Sequence, residues 1–362
     1  MKKILVLANS DVGLYKFRKE VLSELKKEYE VLISVPEGKY TSLLKDMGYK
    51  IYITPIFRRS VNPLKDLVLF YKYFNLLMKL KPDCVLTYTI KPNIYGGIAC
   101  RLLGIKYLVN ITGLGTAIEK KNLLSKILLR MYGFSLKKAS VVFFQNKHNQ
   151  KFLNTNIHIN AKQLVLPGSG VNIQEYPYLE YPTDLTTTNF LFIGRIMEAK
   201  GINELLLGYN LLAEKYDNVS MTIIGPLEEE YNTEIFSSMV KNNIVNYLGE
   251  QTIINEFINN CHALINPSHH EGMSNVLLEA GASGRPLLAS NIPGCKEIID
   301  DGFNGYLFQP HDYYSLFEAL EKFHLLEFHK KKLMGEKASI YIRENFNRNI
   351  IVKHYLNAIE GD

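Results

Sequence analysis

The 362-residue chain has no long uninterrupted apolar stretch. It has no run of ~18 uncharged apolar residues, the minimum for a spanning helix. Its opening, MKKILVLANS, turns polar after five apolar residues, too few for a signal-peptide core. These absences predict a protein that stays in the cytoplasm. Cysteine is also scarce: Cys84, Cys100, Cys261 and Cys295 are widely spaced with no C-x-x-C, so neither a disulfide framework nor a zinc site is indicated. All four are expected to be buried or incidental thiols. No G-x-x-x-x-G-K-[ST] occurs, and the first apolar run, KILVLAN, leads into SDVGLYKFRKE with one glycine. A dinucleotide fold needs G-x-G-x-x-G at that point, so dehydrogenase and P-loop NTPase readings are set aside. No D-x-D motif or His/Asp cluster is visible, and the expected metal content is none. The chain has neither an aromatic RNP strand nor a zinc finger, so nucleic acid is not an expected partner.

Acidic residues are scarce in the first half. Residues 1–182 carry 28 Lys/Arg against 12 Asp/Glu, a charge of +16, and residues 183–362 carry 14 against 24, a charge of −10. The basic half points to an anionic partner, such as a membrane surface or a phosphorylated lipid, or its lysines are solvated helix faces. The content is 47% hydrophobic, enough to fill two cores.

Short β-rich runs alternate with amphipathic stretches. The first half predicts strands at 3–9, 30–35, 49–56, 83–88, 106–111 and 140–146, between helices over 17–28, 40–47, 63–80, 93–103 and 122–137. After a Gly-, Pro-, Thr- and Tyr-rich stretch the pattern restarts. Strands are expected at 189–194, 219–225, 246–249, 262–268, 285–290 and 305–308, with helices over 201–215, 229–242, 251–260, 275–283, 294–300, 312–325 and 329–344. Apolar strands separated by helices imply parallel sheets covered on both faces. The expected fold class is α/β: two Rossmann-like doubly wound domains facing a central cleft, with ligands at the carboxyl ends of the strands. The domains are placed at 1–170 and 189–344, joined by a linker at 171–188. A last helix in 345–362 is expected to pack back on the first domain.

Three stretches carry candidate chemistry. Gly13 marks either a plain turn after the first strand or a loop that approaches a ligand, with Arg18 in the first turn of the next helix. At GRIMEAKG, Gly194 and Arg195 end a strand and Lys200 precedes a helix, so two cations join a helix N-terminus to make an anion site suited to a diphosphate. HHEGMSNVLLEA, residues 269–280, places Glu271 before a helix capped by Ser274 and Glu279 one to two turns inside it. The carboxylates should stand on the order of 10 Å apart. That spacing would suit an inverting glycosidase pair, but a helix N-terminus between the acids favours a phosphate. The amides of Gly272, Met273, Ser274, Asn275 and Val276 would then cradle an anion, leaving each acid for hydroxyls on either side of it. A nucleotide-sugar has that layout.

The series GRIMEAKG, INPSHHEGMSNVLLEAGASGRPLLAS and PGCKEIIDDGFNGYLF resembles retaining glycosyltransferase family 4, which has the GT-B fold. The resemblance implies that Arg195 and Lys200 bind the donor diphosphate, Glu271 lies against the donor sugar, and Glu279 bonds the ribose hydroxyls. It also implies that the Gly13 loop approaches the phosphates. Glu271, Arg195 and Lys200 are the catalytic candidates. YTIKPNIYGGIACRLLGIKYLVNITGLGTAI, residues 88–118, resembles members that build capsule, O-antigen or exopolysaccharide units on undecaprenyl-diphosphate-linked acceptors. Where many members have a histidine contacting the sugar, this chain reads Asn110-Ile111-Thr112-Gly113, so a contact there falls to Asn110, Thr112 or backbone groups. Arg18, Lys91, Asn110 and Thr112 are the acceptor-side candidates.

The expected reaction is therefore a retaining, metal-independent transfer of a hexose or N-acetylhexosamine from a UDP-sugar, with no cofactor, to a lipid-linked saccharide at the inner face of the membrane. The stretch 57–82, with Arg58, Arg59, Lys65, Lys72, Lys79 and Lys81 among Phe, Tyr and Leu, is either a helix lying on an anionic membrane or one buried against the first sheet. The rival functions are a nucleotide-sugar epimerase, a soluble-acceptor synthase of sucrose or glycogen type, and a non-catalytic nucleotide-sugar or membrane-binding module.

Overall fold

The computed structural model describes residues 1–361 except 58–61, 115–117, 119–121, 185, 229–230 and 232–233. It divides into two compact units, Met1–Gly170 with Arg348–Asp362, and Val171–Asn347. Each is a doubly wound α/β unit around an all-parallel sheet.

In the first unit the strands are β1 Lys3–Leu7, β2 Glu30–Val35, β3 Lys50–Ile53, β4 Cys84–Tyr88, β5 Lys106–Ile111, β6 Val141–Phe144 and β7 Lys162–Val165, in the order β3-β2-β1-β4-β5-β6-β7. Val, Ile and Leu fill both faces of the central strands because helices cover both sides. Ile4 and Val6 belong to one apolar cluster, Leu5 and Leu7 to the other.

The first helix, Asp11–Glu28, starts six residues before the expected position. Ser10 caps it by accepting from the Gly13 amide at 3.3 Å, and Asp11 sits in the first turn, where a carboxylate complements the helix dipole. Gly13 is therefore helical, and Arg18 lies in the third turn rather than the first. The sequence reading also passed over β7 and the helix Lys147–Asn156, which Asn146 caps by accepting from the Asn149 amide at 2.8 Å.

The last helix, Arg348–Glu360, is built into the first unit and buries Ile351, Val352, Tyr355 and Ile359. Burial of each such side chain is worth roughly 1.5–3 kcal/mol. Arg348, itself buried, bonds Glu20 at 2.8 Å and the Gly170 carbonyl at 3.1 Å. The Tyr355 ring packs 4.7 Å from that of Phe143, and Lys106 Nζ donates to the Ile359 carbonyl at 2.7 Å.

The second unit holds β8 Thr188–Ile193, β9 Val219–Ile224, β10 Asn246–Tyr247, β11 Ala263–Asn266, β12 Leu287–Ser290 and β13 Gly305–Phe308, ordered β10-β9-β8-β11-β12-β13. The stretch before β8, read from sequence as a linker, packs on this unit. Arg285, fully buried, donates to the carbonyls of Leu179, Glu180, Ile258 and Asn259. Tyr181 Oη donates to the His262 carbonyl at 2.9 Å. Residues 294–300, expected as a short helix, are a run of turns over 294–298 followed by two residues without regular structure.

Candidate functional site

Doubly wound sheets bind ligands where the strand order reverses, outside the carboxyl ends of the strands. In the second unit that point lies between β8 and β11, since β9 and β10 continue on one side and β12 and β13 on the other. Gly194 and Arg195 leave the end of β8, and Pro267 to Glu271 leave the end of β11.

The two exits are pressed together. Lys200 ends a single 3-10 turn, Glu198–Lys200. Gly201 follows at φ +67, with the Pro267 carbonyl oxygen only 1.9 Å from where a Cβ would stand. Only glycine fits there. The His269 amide donates to the Ala199 carbonyl at 3.1 Å, and Lys200 Nζ reaches Glu271 Oε1 at 2.6 Å. Both side chains of this pair are largely buried. Ser268 Oγ donates to the same carboxylate oxygen at 2.8 Å, and Asn266 Nδ2 donates to Ser274 Oγ at 2.6 Å. Beneath the loop lies Gly294 at φ +90; a Cβ there would stand 2.8 Å from the Glu271 carbonyl oxygen and 2.9 Å from Glu271 Cβ. Cys295 next to it is fully buried. Burial, together with the Glu271 charge, pushes its thiol well up, so it stays neutral.

The helix Asn275–Ala282 begins at the expected place, with Ser274 as its N-cap residue. The cap differs from expectation: the Ser274 hydroxyl makes no bond to the first turn and accepts from Asn266 instead. Its amide, one of those expected to face an anion, donates to the Gly294 carbonyl at 3.0 Å. Gly272, Asn275 and Val276 are half-buried and Met273 is buried. Glu279 is the fifth helical residue and half-buried. Arg195, half-exposed, pairs with Glu228 at 3.0 Å. Lys200 and Glu271 are thus in contact, while Arg195 faces a partner from beyond β9.

In the first unit, Arg18, Asn110 and Thr112 come together and Lys91 stands apart. Arg18 is buried, with its guanidinium 5.3 Å over the Tyr88 ring and Nη1 donating to the Phe17 carbonyl; its Nε has no hydrogen-bond partner. With the Gln145 amide turned so that its oxygen faces Arg18, that oxygen accepts from Nη2 at 3.0 Å and the amide nitrogen donates to the Thr112 carbonyl at 3.0 Å. The Asn110 side chain is used internally: Oδ1 accepts from Tyr355 Oη, and Nδ2 donates to the Thr87 carbonyl. At 2% exposure it offers little to a ligand. Lys91 is paired with Asp66 at 2.6 Å. Gly13 is half-buried, and among the described residues the only side chain within 4 Å of its Cβ position is Ser10.

The helix Pro63–Leu80 buries Leu69, Tyr73 and Leu77 and exposes Leu64, Leu67, Val68, Tyr71 and Met78 among Lys65, Lys72 and Lys79. The burial of Leu69, Tyr73 and Leu77 is the packing against the first unit that one of the two sequence readings expects; the opposite face is exposed. Arg58 and Arg59 lie outside the described residues. No helix of the described residues is long and apolar enough to cross a membrane.

Sequence reasoning missed Ser268 and Gly294, which contact Glu271, Asn266, which accepts from the Ser268 amide and donates to Ser274, and Glu228, which pairs with Arg195. Asn266 had a visible signal as the one polar residue of the strand ALIN. It also missed a grouping of Glu204, His269 and His311, whose ligating atoms lie within 4.8 Å of one another. Burial shifts His269 down, against the opposing charge of Glu204.

Comparison with known proteins places both halves of the chain. Residues 180–340 match the family model for glycosyl transferases group 1, and residues 3–146 match the glycosyl transferase 4-like model. An N,N'-diacetylbacillosaminyl-diphospho-undecaprenol alpha-1,3-N-acetylgalactosaminyltransferase of Campylobacter jejuni is 27% identical over 97% of this chain and 96% of that protein. The capsular polysaccharide biosynthesis glycosyltransferase CapM of Staphylococcus aureus is 25% identical over 96% of this chain and 93% of that protein. Among solved structures, Anabaena HepE in complex with UDP superposes with a TM-score of 0.81 at 19% identity, covering 100% of both chains. The fold is that of the GT-B glycosyltransferases. The chain belongs to the glycosyltransferases that join a glycosyl transferase 4-like domain to a group 1 domain.

Proposed function

We propose that this glycosyltransferase moves a hexose or N-acetylhexosamine from a UDP-sugar, with retention of anomeric configuration, to a saccharide carried on undecaprenyl diphosphate. The product is an intermediate of bacterial surface polysaccharide. The observation that carries the reading is the Lys200–Glu271 pair at the switch point of the second sheet, beside the N-terminus of the helix Asn275–Ala282. The acceptor class rests on the Campylobacter jejuni relative, whose name specifies a diphospho-undecaprenol substrate. The uridine base rests on the UDP held by the Anabaena protein.

The acceptor hydroxyl attacks the anomeric carbon on the face that the nucleotide leaves, and its proton passes to an oxygen of the departing diphosphate. Lys200 and Arg195 stabilise the negative charge that grows on that group, together with amides at the helix N-terminus. Arg195 is exposed enough to turn from Glu228 toward a phosphate. These cations do work that other transferases assign to a divalent ion, so the transfer step needs no metal. Glu271, fixed by Lys200 and Ser268, orients the sugar hydroxyls, and Glu279 receives the ribose.

On the acceptor side, Arg18 is a buried cation with an unpartnered Nε, which is costly unless an anion faces it. A lipid diphosphate supplies that charge. The exposed Leu, Val and Tyr residues of the helix Pro63–Leu80, with Lys65, Lys72 and Lys79 between them, suit the surface of an anionic membrane. Incubating the full chain with a panel of UDP-sugars and undecaprenyl-diphosphate-linked saccharides, and reading UDP release and product mass, tests the proposal. Transfer to soluble sugars alone, or release of UDP with no glycosylated lipid, would refute it.

A further inference from the structure

Two residues before Glu271, the chain contains a second cluster that the transfer chemistry does not use. His269 Nε2 lies 3.1 Å from Glu204 Oε1, and His311 Nδ1 lies 3.9 Å from the same oxygen. The two imidazole rings are 3.8 Å apart between centroids, inclined by 39°. All three ligating atoms fall within 4.8 Å of one another. A tetrahedral zinc with bonds of 2.0–2.1 Å sets its ligand atoms about 3.3–3.4 Å apart, a value bracketed by the two distances to Glu204.

Three further observations point the same way. Glu204 Oε2 is buried and has no hydrogen-bond partner, and a buried carboxylate oxygen left unsatisfied is expensive. His311 adopts a left-handed backbone at φ +61. A non-glycine residue there is strained, and this one brings its ring onto His269. The His311 side chain is 61% exposed while that of His269 is 8% exposed, so the cluster has a closed inner side and an open outer one.

We propose that Glu204, His269 and His311 form a site for a divalent transition metal of the zinc class. Two imidazoles and one carboxylate are a donor set that zinc takes with a water in the fourth position. The metal performs no step of the transfer. Glu204 is the third residue of the helix that follows Lys200, and His269 stands beside Ser268, which donates to Glu271. A metal bound to both fastens the segment carrying Lys200 to the loop carrying Glu271. That coupling rests on the donor-site reading above; the binding site itself does not.

The test uses the full chain, stripped with a chelator and dialysed, and titrated with zinc chloride in competition with a chromophoric indicator. One equivalent is expected to bind. The exposed His311→Ala variant, and Glu204→Gln, should weaken it at least about 100-fold, the upper end of what loss of an outer-shell partner alone costs. His329→Ala, which alters another surface histidine, should leave it unchanged. Thermal melting with and without zinc, which needs no turnover, should show an upward shift in the wild type that His311→Ala abolishes. Absence of stoichiometric binding, or binding that persists in His311→Ala, overturns the site. Binding that follows this pattern with no change in UDP affinity keeps the site and overturns its coupling to the donor loop.

Discussion

Gly294→Ala perturbs the proposed donor site by pressing on the backbone of Glu271 and Gly272 while leaving every donor-binding side chain chemically unchanged. The added methyl would stand 2.8 Å from the Glu271 carbonyl oxygen, 2.9 Å from Glu271 Cβ and 2.9 Å from the Gly272 carbonyl oxygen. Ordinary contact begins near 3.4 Å, so the 271–272 segment must move out by about half an ångström. The backbone at φ +90 adds strain, since an alanine in left-handed conformation costs roughly 1–2 kcal/mol. With about 1–2 kcal/mol more for the overpacked methyl, a total stability loss of about 2–4 kcal/mol follows. The displacement also shifts the Glu271 carboxylate from Lys200 and Ser268. A misplacement of about 1 Å can cost on the order of 10²-fold in rate, so turnover should fall by about 10- to 100-fold. Urea unfolding gives the first quantity, and UDP release under saturating substrates, measured well below the melting temperature, gives the second. A variant that loses stability as expected yet turns over at the wild-type rate would show that Glu271 need not be held where the structure places it.

Other outcomes follow from the same structure. Arg285→Ala removes a buried guanidinium bonded to the carbonyls of residues 179, 180, 258 and 259, and should cost more than about 2 kcal/mol of unfolding free energy in urea titration. His262 is buried; its Nδ1 accepts from the Asn189 amide at 3.0 Å and its Nε2 faces the Asp184 carbonyl. Burial holds its pKa below the ordinary value of about 6.5. The unfolded chain therefore binds the proton more readily, so the contribution is complete above pH ~6.5 and declines as pH falls from there toward the lower folded value. His262→Gln should flatten that part of the stability profile measured by thermal melts. Arg18→Gln should raise KM for the lipid-linked acceptor about 10- to 100-fold while leaving KM for the UDP-sugar near its original value.

The placement of the proposed donor-side residues was legible because R-x4-K and E-x7-E fall where strands end and a helix starts, and those positions carry their own local signals. Ala263–Asn266 is apolar with a polar final residue, and Gly284 stops the helix that Ser274 begins. Gly294 was not legible, because it supports Glu271 through contacts made far along the chain by the turns after β12. The Glu204, His269 and His311 grouping was hidden for the same reason: three separate strand exits or helix starts bring it together. The start of the first helix was missed because Gly13 suggested a loop, whereas Ser10 and Asp11 are the stronger local signals. Lys147–Asn156 escaped because NKHNQKFLNTN is nearly all polar, and its helix depends on the Asn146 cap and on Leu153, which is buried. Asn110 could be placed at the end of a strand from sequence. That its side chain is taken up by Tyr355 and Thr87 depends on a helix 245 residues later in the chain.

The most direct test is the transfer rate of Lys200→Ala and Glu271→Ala beside the wild type, with a UDP-sugar and an undecaprenyl-diphosphate-linked saccharide, read as product mass against time. Each variant should still fold, with a lowered melting temperature, because the pair it breaks is largely buried. Each should transfer at least about 10²-fold more slowly, the cost of removing one preorganised group from a developing charge. A folded variant of either kind that transfers at a near-normal rate would contradict the assignment of the Lys200–Glu271 pair to the donor site.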